Sequence, residues 1–202
     1  MYIRASQHAR SAADVVEVIE RNPFATLVTH GDGGMIASHL PFVFDPSRGD
    51  HGTLYAHMAR ANAHAAVVGR AESLVVFTGP HAYISPSWYA DRATAPTWDY
   101  VAVHCYGTAL LHDAEETRRN IERLIAVVEG GREKPWSMDE LGEEEVRSLI
   151  ANVVSFEIPV SRMEAKFKLN QRDQPERIRA AIAELERSGA AELAEYIRRY
   201  NV

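Results

Sequence analysis

Residues 77–89 read FTGPHAYISPSWY, a stretch with one histidine, two tyrosines, two serines and a tryptophan. In an extended chain successive side chains point to opposite faces, so His81, Tyr83, Ser85 and Ser87 share one face and Ala82, Ile84, Pro86 and Trp88 the other. Residues 98–108 repeat the pattern, with Trp98, Tyr100, His104, Tyr106 and Thr108 set against Val101, Val103 and Cys105. Paired as a hairpin, the two stretches would gather rings and hydroxyls on one surface. A planar heteroaromatic ligand needs such a lining, apolar area with a few oriented donors. A half-solvated sheet face would look alike, because Tyr, Trp and Thr fit strands whether or not a ligand is present.

Two other stretches carry charge chemistry. In YAHMARANAH (55–64), His57 and Arg60 end a strand-like run and Asn62 can cap a short helix. A guanidinium beside helix-start N–H groups suits a phosphate, although a capped turn with a solvated arginine has the same sequence. In EAKFKLNQRD (164–173), Lys166 and Lys168 share a face with Glu164, opposite Phe167 and Leu169. Two lysines on one face suit an anion, and they equally suit a charged edge strand that resists pairing. The nine histidines form no His-Glu-x-x-His pair and there is no cysteine cluster, so no metal site is expected. No Gly-x-Ser-x-Gly is present, Cys105 falls mid-strand, and HGDGGM reads as a hairpin turn rather than a nucleotide loop. No residue is assigned a catalytic role.

The totals bound the setting of these groups. The chain has 202 residues, 46% hydrophobic and 25% charged, enough for a sizeable core. A net charge of -6 argues against a broadly basic nucleic-acid surface. A single cysteine excludes an internal disulfide. MYIRASQHAR has no export-signal core and no apolar run has membrane length, so a cytoplasmic location without membrane attachment is expected.

Periodicity supplies the elements. A capped helix is expected at 11–22, strands at 24–30, 35–45 and 52–59, and a short helix at 62–69. A bent strand follows through 74–89, then a long strand at 98–113. Two helices are expected between Asp113 and Asn152, a strand at 153–169, and a helical hairpin broken at Ser188-Gly189. About six mostly antiparallel strands with inserted and appended helices predict a β-barrel with peripheral helices, an α+β fold. The expected division is a barrel domain over 1–172 and a helical appendage over 173–202.

Six blocks in this order carry a family resemblance: NPFATLVTHGDGGMIASHLPF (22–42), GTLYAHMARAN (52–62), VVFTGPHAYISPSWY (75–89), PTWDYVAVHCYG (96–107), PWSMDEL (135–141) and FEIPVSRMEAKFKLNQ (156–171). Together they resemble the PaiB family of FMN-binding negative transcriptional regulators, within the FMN-binding split-barrel fold. The resemblance implies an antiparallel split barrel and a homodimer with FMN bound between subunits. It makes Ser38, His39, Leu40 and Pro41 the strand along the ring edge, and His57, Met58, Ala59, Arg60 and Asn62 the phosphate cradle. Tyr83, Ser85, Ser87 and Trp88 would close the pocket, and Lys166, Lys168 and Gln171 would be the C-terminal contribution. The chain departs from the family where Ala63-His64 replaces the usual Pro-Gln, and where Lys168-Leu169-Asn170-Gln171-Arg172 replaces Lys-Leu-Ser-Gln-Asn.

The same resemblance implies repression of genes, with DNA as a partner by family alone. The last two helices place a glycine at their bend, as a helix-turn-helix does, yet Glu192 and Glu195 lie on the second, so a capping hairpin on the barrel is expected instead. The alternative function is a flavin-dependent oxidoreductase of the pyridoxamine phosphate oxidase-like group, since fold alone does not settle chemistry.

Overall fold

The structure is a computed structural model and describes residues 1–201. The strands are β1 (Phe24–Gly31), β2 (Gly34–Pro41), β3 (Val43–Asp45), β4 (Thr53–Ala59), β5 (Glu72–Ile84), β6 (Thr97–Thr108), β7 (Leu110–Leu111), β8 (Val153–Pro159) and β9 (Arg162–Lys168). The helices are α1 (Ala12–Arg21), α2 (Ala114–Glu129), α3 (Glu143–Ala151), α4 (Pro175–Arg187) and α5 (Ala191–Asn201). A five-stranded sheet has the order β2-β1-β5-β6-β9 and a four-stranded sheet the order β3-β4-β8-β7. The expected β-rich fold with inserted and appended helices is therefore present, with its strands in two sheets. Among the described residues no helix is long and apolar enough to cross a membrane.

The chain divides into two units. The first comprises Met1–Val18, Thr78–Val103 and the chain from Glu164 on; the second comprises Ile19–Phe77 and His104–Met163.

In the second unit β1 and β2 form the predicted hairpin, with Gly31 opposite Gly34 across Asp32-Gly33 and Gly34 at φ +103°. Alternation buries Ala25, Leu27 and Thr29 on β1. β4 pairs antiparallel with β8, Leu54 opposite Ile158 and Ala56 opposite Phe156, and all four side chains are buried. Asp113 caps α2 by accepting the Glu116 N–H at 2.8 Å, and Ile121 packs with Met138 and Val146. Gly107 has no room for a side chain. A Cβ there would stand 2.4 Å from the Pro159 carbonyl oxygen and 2.7 Å from Ile158 Cγ2. Gly107→Ala is expected to cost about 1–3 kcal/mol, because a strand carbonyl cannot yield as a flexible side chain can. An unchanged denaturation midpoint would show that this strand spacing is not fixed at Gly107.

In the first unit Phe167 of β9 and Leu169 just beyond it point inward, both fully buried. Phe167 stacks on Tyr200 of α5, with ring centres 5.0 Å apart and planes within 10°. The Tyr200 hydroxyl donates to Asp14 of α1 at 2.6 Å, and Asn201 Nδ2 donates to the Leu169 carbonyl at 2.8 Å. Gly189, at φ +86°, makes the turn between α4 and α5. Leu185 of α4 and Leu193, Ala194 and Ile197 of α5 are buried, so the pair packs as a capping hairpin. The basic end of α5 is engaged internally: Arg198 pairs with Glu186, and Arg199 with Asp14 and Glu17.

Candidate functional site

The second unit carries the predicted ring-edge strand and phosphate turn, and a chain of hydrogen bonds ties them together. Asn62 Nδ2 donates to Ser38 Oγ at 3.1 Å, while Asn62 Oδ1 accepts the His64 N–H at 2.9 Å. His64, at 0% exposure, lies between two hydroxyls, its Nδ1 3.0 Å from Ser38 Oγ and its Nε2 2.9 Å from Thr29 Oγ1. Thr29 Oγ1 lies 2.6 Å from Ser73 Oγ. Five side chains from β1, β2, the Asn62 turn and β5 thus satisfy one another, four of them buried and Asn62 half-buried. Burial holds His64 below the ordinary histidine range.

Around this network Leu40 and Met58 are buried and Pro41 is half-buried. His39 is exposed and stacks on Phe24 at 6.2 Å, its Nδ1 3.1 Å from Thr26 Oγ1. His57 is half-buried and its Nδ1 makes no hydrogen bond, so burial pulls its pKa down as well. Ala59 and Arg60 are exposed. Arg60 donates from Nε to the Ala151 carbonyl and from Nη2 to the Val153 carbonyl, both at 2.7 Å. The segment after Asn62 is a 3-10 turn, Ala63–Ala66, rather than the expected helix of one or two α-turns. So short a run sums few peptide dipoles, and side chains must supply the anion attraction there.

The first unit holds the aromatic stretch. Tyr83 (45% exposed) meets the edge of Trp98 (55% exposed) at 6.2 Å, and His81 lies 6.3 Å from the same indole. Ser85 and Ser87 do not continue that face. The strand ends at Ile84, where Pro86 removes a donor and Ser85 caps a 3-10 turn, Pro86–Trp88, by accepting the Ser87 N–H at 3.1 Å. Ser87 Oγ accepts from Arg92 at 2.9 Å, and Trp88 is half-buried beyond it.

The C-terminal candidates are all engaged. Lys166 is 8% exposed, and its ammonium lies 5.1 Å from the Tyr100 ring centre and 5.7 Å from that of Tyr2, a cation–π pocket. Lys168 Nζ donates to Thr97 Oγ1 and the Trp98 carbonyl and stands 3.5 Å from Asp99 Oδ1, which occupies the three donors of an ammonium. Gln171 folds onto its own loop, accepting the Leu169 N–H at 2.8 Å and donating to the Phe167 carbonyl at 2.5 Å. Burial of Cys105 pushes its thiol up to about 12, which suits a packed rather than a reactive sulfur. Among the described residues no group of His, Cys, Asp and Glu is arranged to hold a metal ion.

Two groups stand out that the sequence reading did not single out as sites. Asp99, at 1% exposure, lies in phase with Val101, Val103 and Cys105, and a carboxylate in the inward phase of a strand was the available signal. Burial raises it from 3.8 to about 6, against the pull of the Lys168 ammonium. The second is His64, visible in the sequence only as a departure from the family pattern.

Within the second unit, the hydroxyls and the Asn62 amide locked around β2 and the guanidinium at the turn after β4 suit a flavin. Comparison with known proteins bears on the same point. The family described as "Putative FMN-binding domain" matches residues 1–162. The protease synthase and sporulation protein PAI 2 of Bacillus subtilis is 36% identical over 172 residues, covering 85% of this chain and 82% of that one. Among solved structures, the FAD and heme binding protein from Mycobacterium smegmatis aligns with a TM-score of 0.62 at 18% identity, over 85% of this chain and 78% of that one. The flavocytochrome Anf3 from Azotobacter vinelandii aligns at 0.59 and 12%, over 85% and 73%. At those identities the two structures establish the split-barrel fold alone. The chain belongs to the FMN-binding domain family, and FMN is the cofactor that membership assigns to it.

Proposed function

We infer that the chain is a homodimeric FMN-dependent negative regulator of transcription of the PaiB type. The observation that carries the flavin part is the Asn62–Ser38 hydrogen bond, which couples the β2 edge to the turn after β4. No secondary-structure requirement demands that bond, whereas a ligand read by both segments would need them held in fixed register. In this reading Ser38 to Pro41 border the flavin ring, and Arg60, with His57 and Asn62 beside it, faces the phosphate. Two nitrogens of Arg60 hold the Ala151 and Val153 carbonyls, so its guanidinium is already oriented before any anion arrives. The regulatory part is supported by the likeness to the PAI 2 protein. The α4–α5 hairpin packs inward and has its basic end paired, so any DNA contact is assigned elsewhere.

Titration of the full chain with FMN, followed by quenching of flavin fluorescence, tests the cofactor reading. Arg60→Ala is expected to weaken FMN by roughly ten- to a hundredfold, the value of a charged hydrogen bond. Arg60→Lys restores charge without the planar fork and should recover only part. Unchanged affinity in both variants would remove Arg60 from the phosphate. Selection of genomic fragments by the FMN-loaded protein at low and moderate salt tests the regulatory reading. Failure to enrich any fragment, together with flavin-dependent turnover of NAD(P)H, would replace it with an oxidoreductase.

A further inference from the structure

The first unit contains a polar cavity of about 330 Å³, lined in part by Lys168 and Gln171, which the family resemblance assigns to the flavin but which are engaged with β6 and with their own loop. Arg4, Thr97, Asp99, Lys168, Asn170 and Arg172 line it. Its volume is at the lower end for metabolite pockets, too small to enclose a flavin nucleotide. Its lining presents no aromatic face for a flavin ring. Asp99 Oδ2 is buried there without a close hydrogen-bond partner, although the Asn170 backbone N–H lies toward the carboxylate, and the Asn170 side chain lies beside the Tyr89 hydroxyl. Lys168 meets the other oxygen, Oδ1, at 3.5 Å, so Oδ2 is the acceptor left open.

The cavity is built rather than accidental. Asn170 and Arg172 both adopt left-handed backbone, at φ 57° and 80°, which asparagine tolerates and arginine seldom adopts. The Gln171 side chain bonds back to Leu169 and Phe167 and fixes the loop in that shape. Of the other charges present, Lys168 is matched by Asp99, and Asp173 by Arg177 at 3.5 Å. The Arg4 side chain donates from Nε to the Tyr2 hydroxyl at 3.4 Å, and neither Arg4 nor Arg172 has a carboxylate partner among the described residues. The lining therefore offers excess positive charge together with one buried acceptor that requires a donor.

We propose that this cavity binds a small hydroxycarboxylate, whose hydroxyl donates to Asp99 Oδ2 and whose carboxylate is held by Arg4 and Arg172. An anion without a donor leaves Oδ2 unpaired, and a donor without negative charge leaves the two arginines unmatched. A buried acceptor left unpaired discriminates strongly between ligands that differ by one hydroxyl. This proposal does not depend on the flavin reading.

The test is calorimetric titration of the full chain, with and without saturating FMN, using malate and succinate, which differ by that hydroxyl. Malate is expected to bind saturably and at least tenfold more tightly than succinate in both conditions. Asp99→Asn should erase most of the preference, and Arg172→Ala, at an exposed position, should weaken both ligands. Equal affinity for the two acids would reduce the cavity to a non-selective anion site and overturn the proposal. So would no heat at about 10 mM of either acid, a ligand free energy near 3 kcal/mol, and so would an unchanged preference in folded Asp99→Asn. Loss of malate binding when FMN is added would identify the cavity with the flavin site and would also overturn it.

Discussion

Phe167→Ala is expected to destabilise the protein by about 3–5 kcal/mol, the range for deleting a buried aromatic side chain. Three observations place it there. The side chain is fully buried, its ring is stacked at 5.0 Å on Tyr200, and Tyr196 lies 6.2 Å away on the same helix. Removing the ring opens a cavity lined by two tyrosines that cannot both move in. Tyr200 is held by its hydroxyl to Asp14, and the end of α5 by Asn201 to the Leu169 carbonyl. The loss should lower the melting temperature by roughly 10 °C, since about 1 kcal/mol corresponds to 2–4 °C at this chain length. Phe167→Leu keeps part of the volume and should lose much less. A loss below about 1 kcal/mol in Phe167→Ala would mean that α5 is not anchored through this ring.

Most elements were legible because their periodicity is strong. α1, α2, α4, α5, β1 and β4 lie where hydrophobic spacing and caps placed them. What periodicity did not show were interruptions one or two residues long. The run 35–45 breaks between β2 and β3, where Pro41 has no N–H and the Phe42 N–H bonds the Pro23 carbonyl instead. The run 153–169 breaks after Pro159, where Ser161 bonds the Tyr106 carbonyl. The run 98–113 breaks at Ala109, and the second helix expected before Asn152 divides at Gly142 into a 3-10 turn, Met138–Glu140, and α3. In each case the deciding partner is distant in sequence or a single residue carries the change. In the other direction, β5 runs unbroken through the expected bend near residue 80 and ends at Ile84, short of the expected end at 89. Its buried positions are odd-numbered to Gly79 and even-numbered at Ile84, so the bend is a one-residue change of phase within the strand.

The candidate site divides in the same way. Alternation correctly faced Tyr83 and Trp98 outward and Cys105 inward. Spacing alone could not tell an available lysine from an occupied one. The donors of Lys168 and Gln171 go to backbone and side-chain acceptors that only the fold brings near. Asn170 was not singled out either, although asparagine is among the few residues that readily adopt the left-handed backbone it shows at φ 57°.

Asp99 should also control how stability depends on pH, and its sign is opposite to that of the buried histidines. Burial raises the carboxyl from 3.8 to about 6 in the folded chain. A raised acid contributes stability that is fully present below 3.8 and lost as pH rises through about 6. The shift is worth about 3 kcal/mol between those limits. His57 and His64 are lowered by burial, so their contribution is fully present above about 6.5 and lost as pH falls below it. The two effects overlap near pH 5–6 and partly cancel in the wild-type protein, so its curve alone cannot separate them. The difference between wild type and Asp99→Asn can. It removes the acid and leaves both histidines, while Thr97 and the Trp98 carbonyl still hold the Lys168 ammonium. Relative to wild type, Asp99→Asn is expected to gain on the order of 3 kcal/mol between pH 4 and pH 7, read from urea midpoints at each pH. A flat difference curve would show that Asp99 ionises at its ordinary value and that its burial is relieved by solvent. A falling one would mean that the ion pair with Lys168 outweighs desolvation, and would identify the pair as a net stabiliser of the first unit.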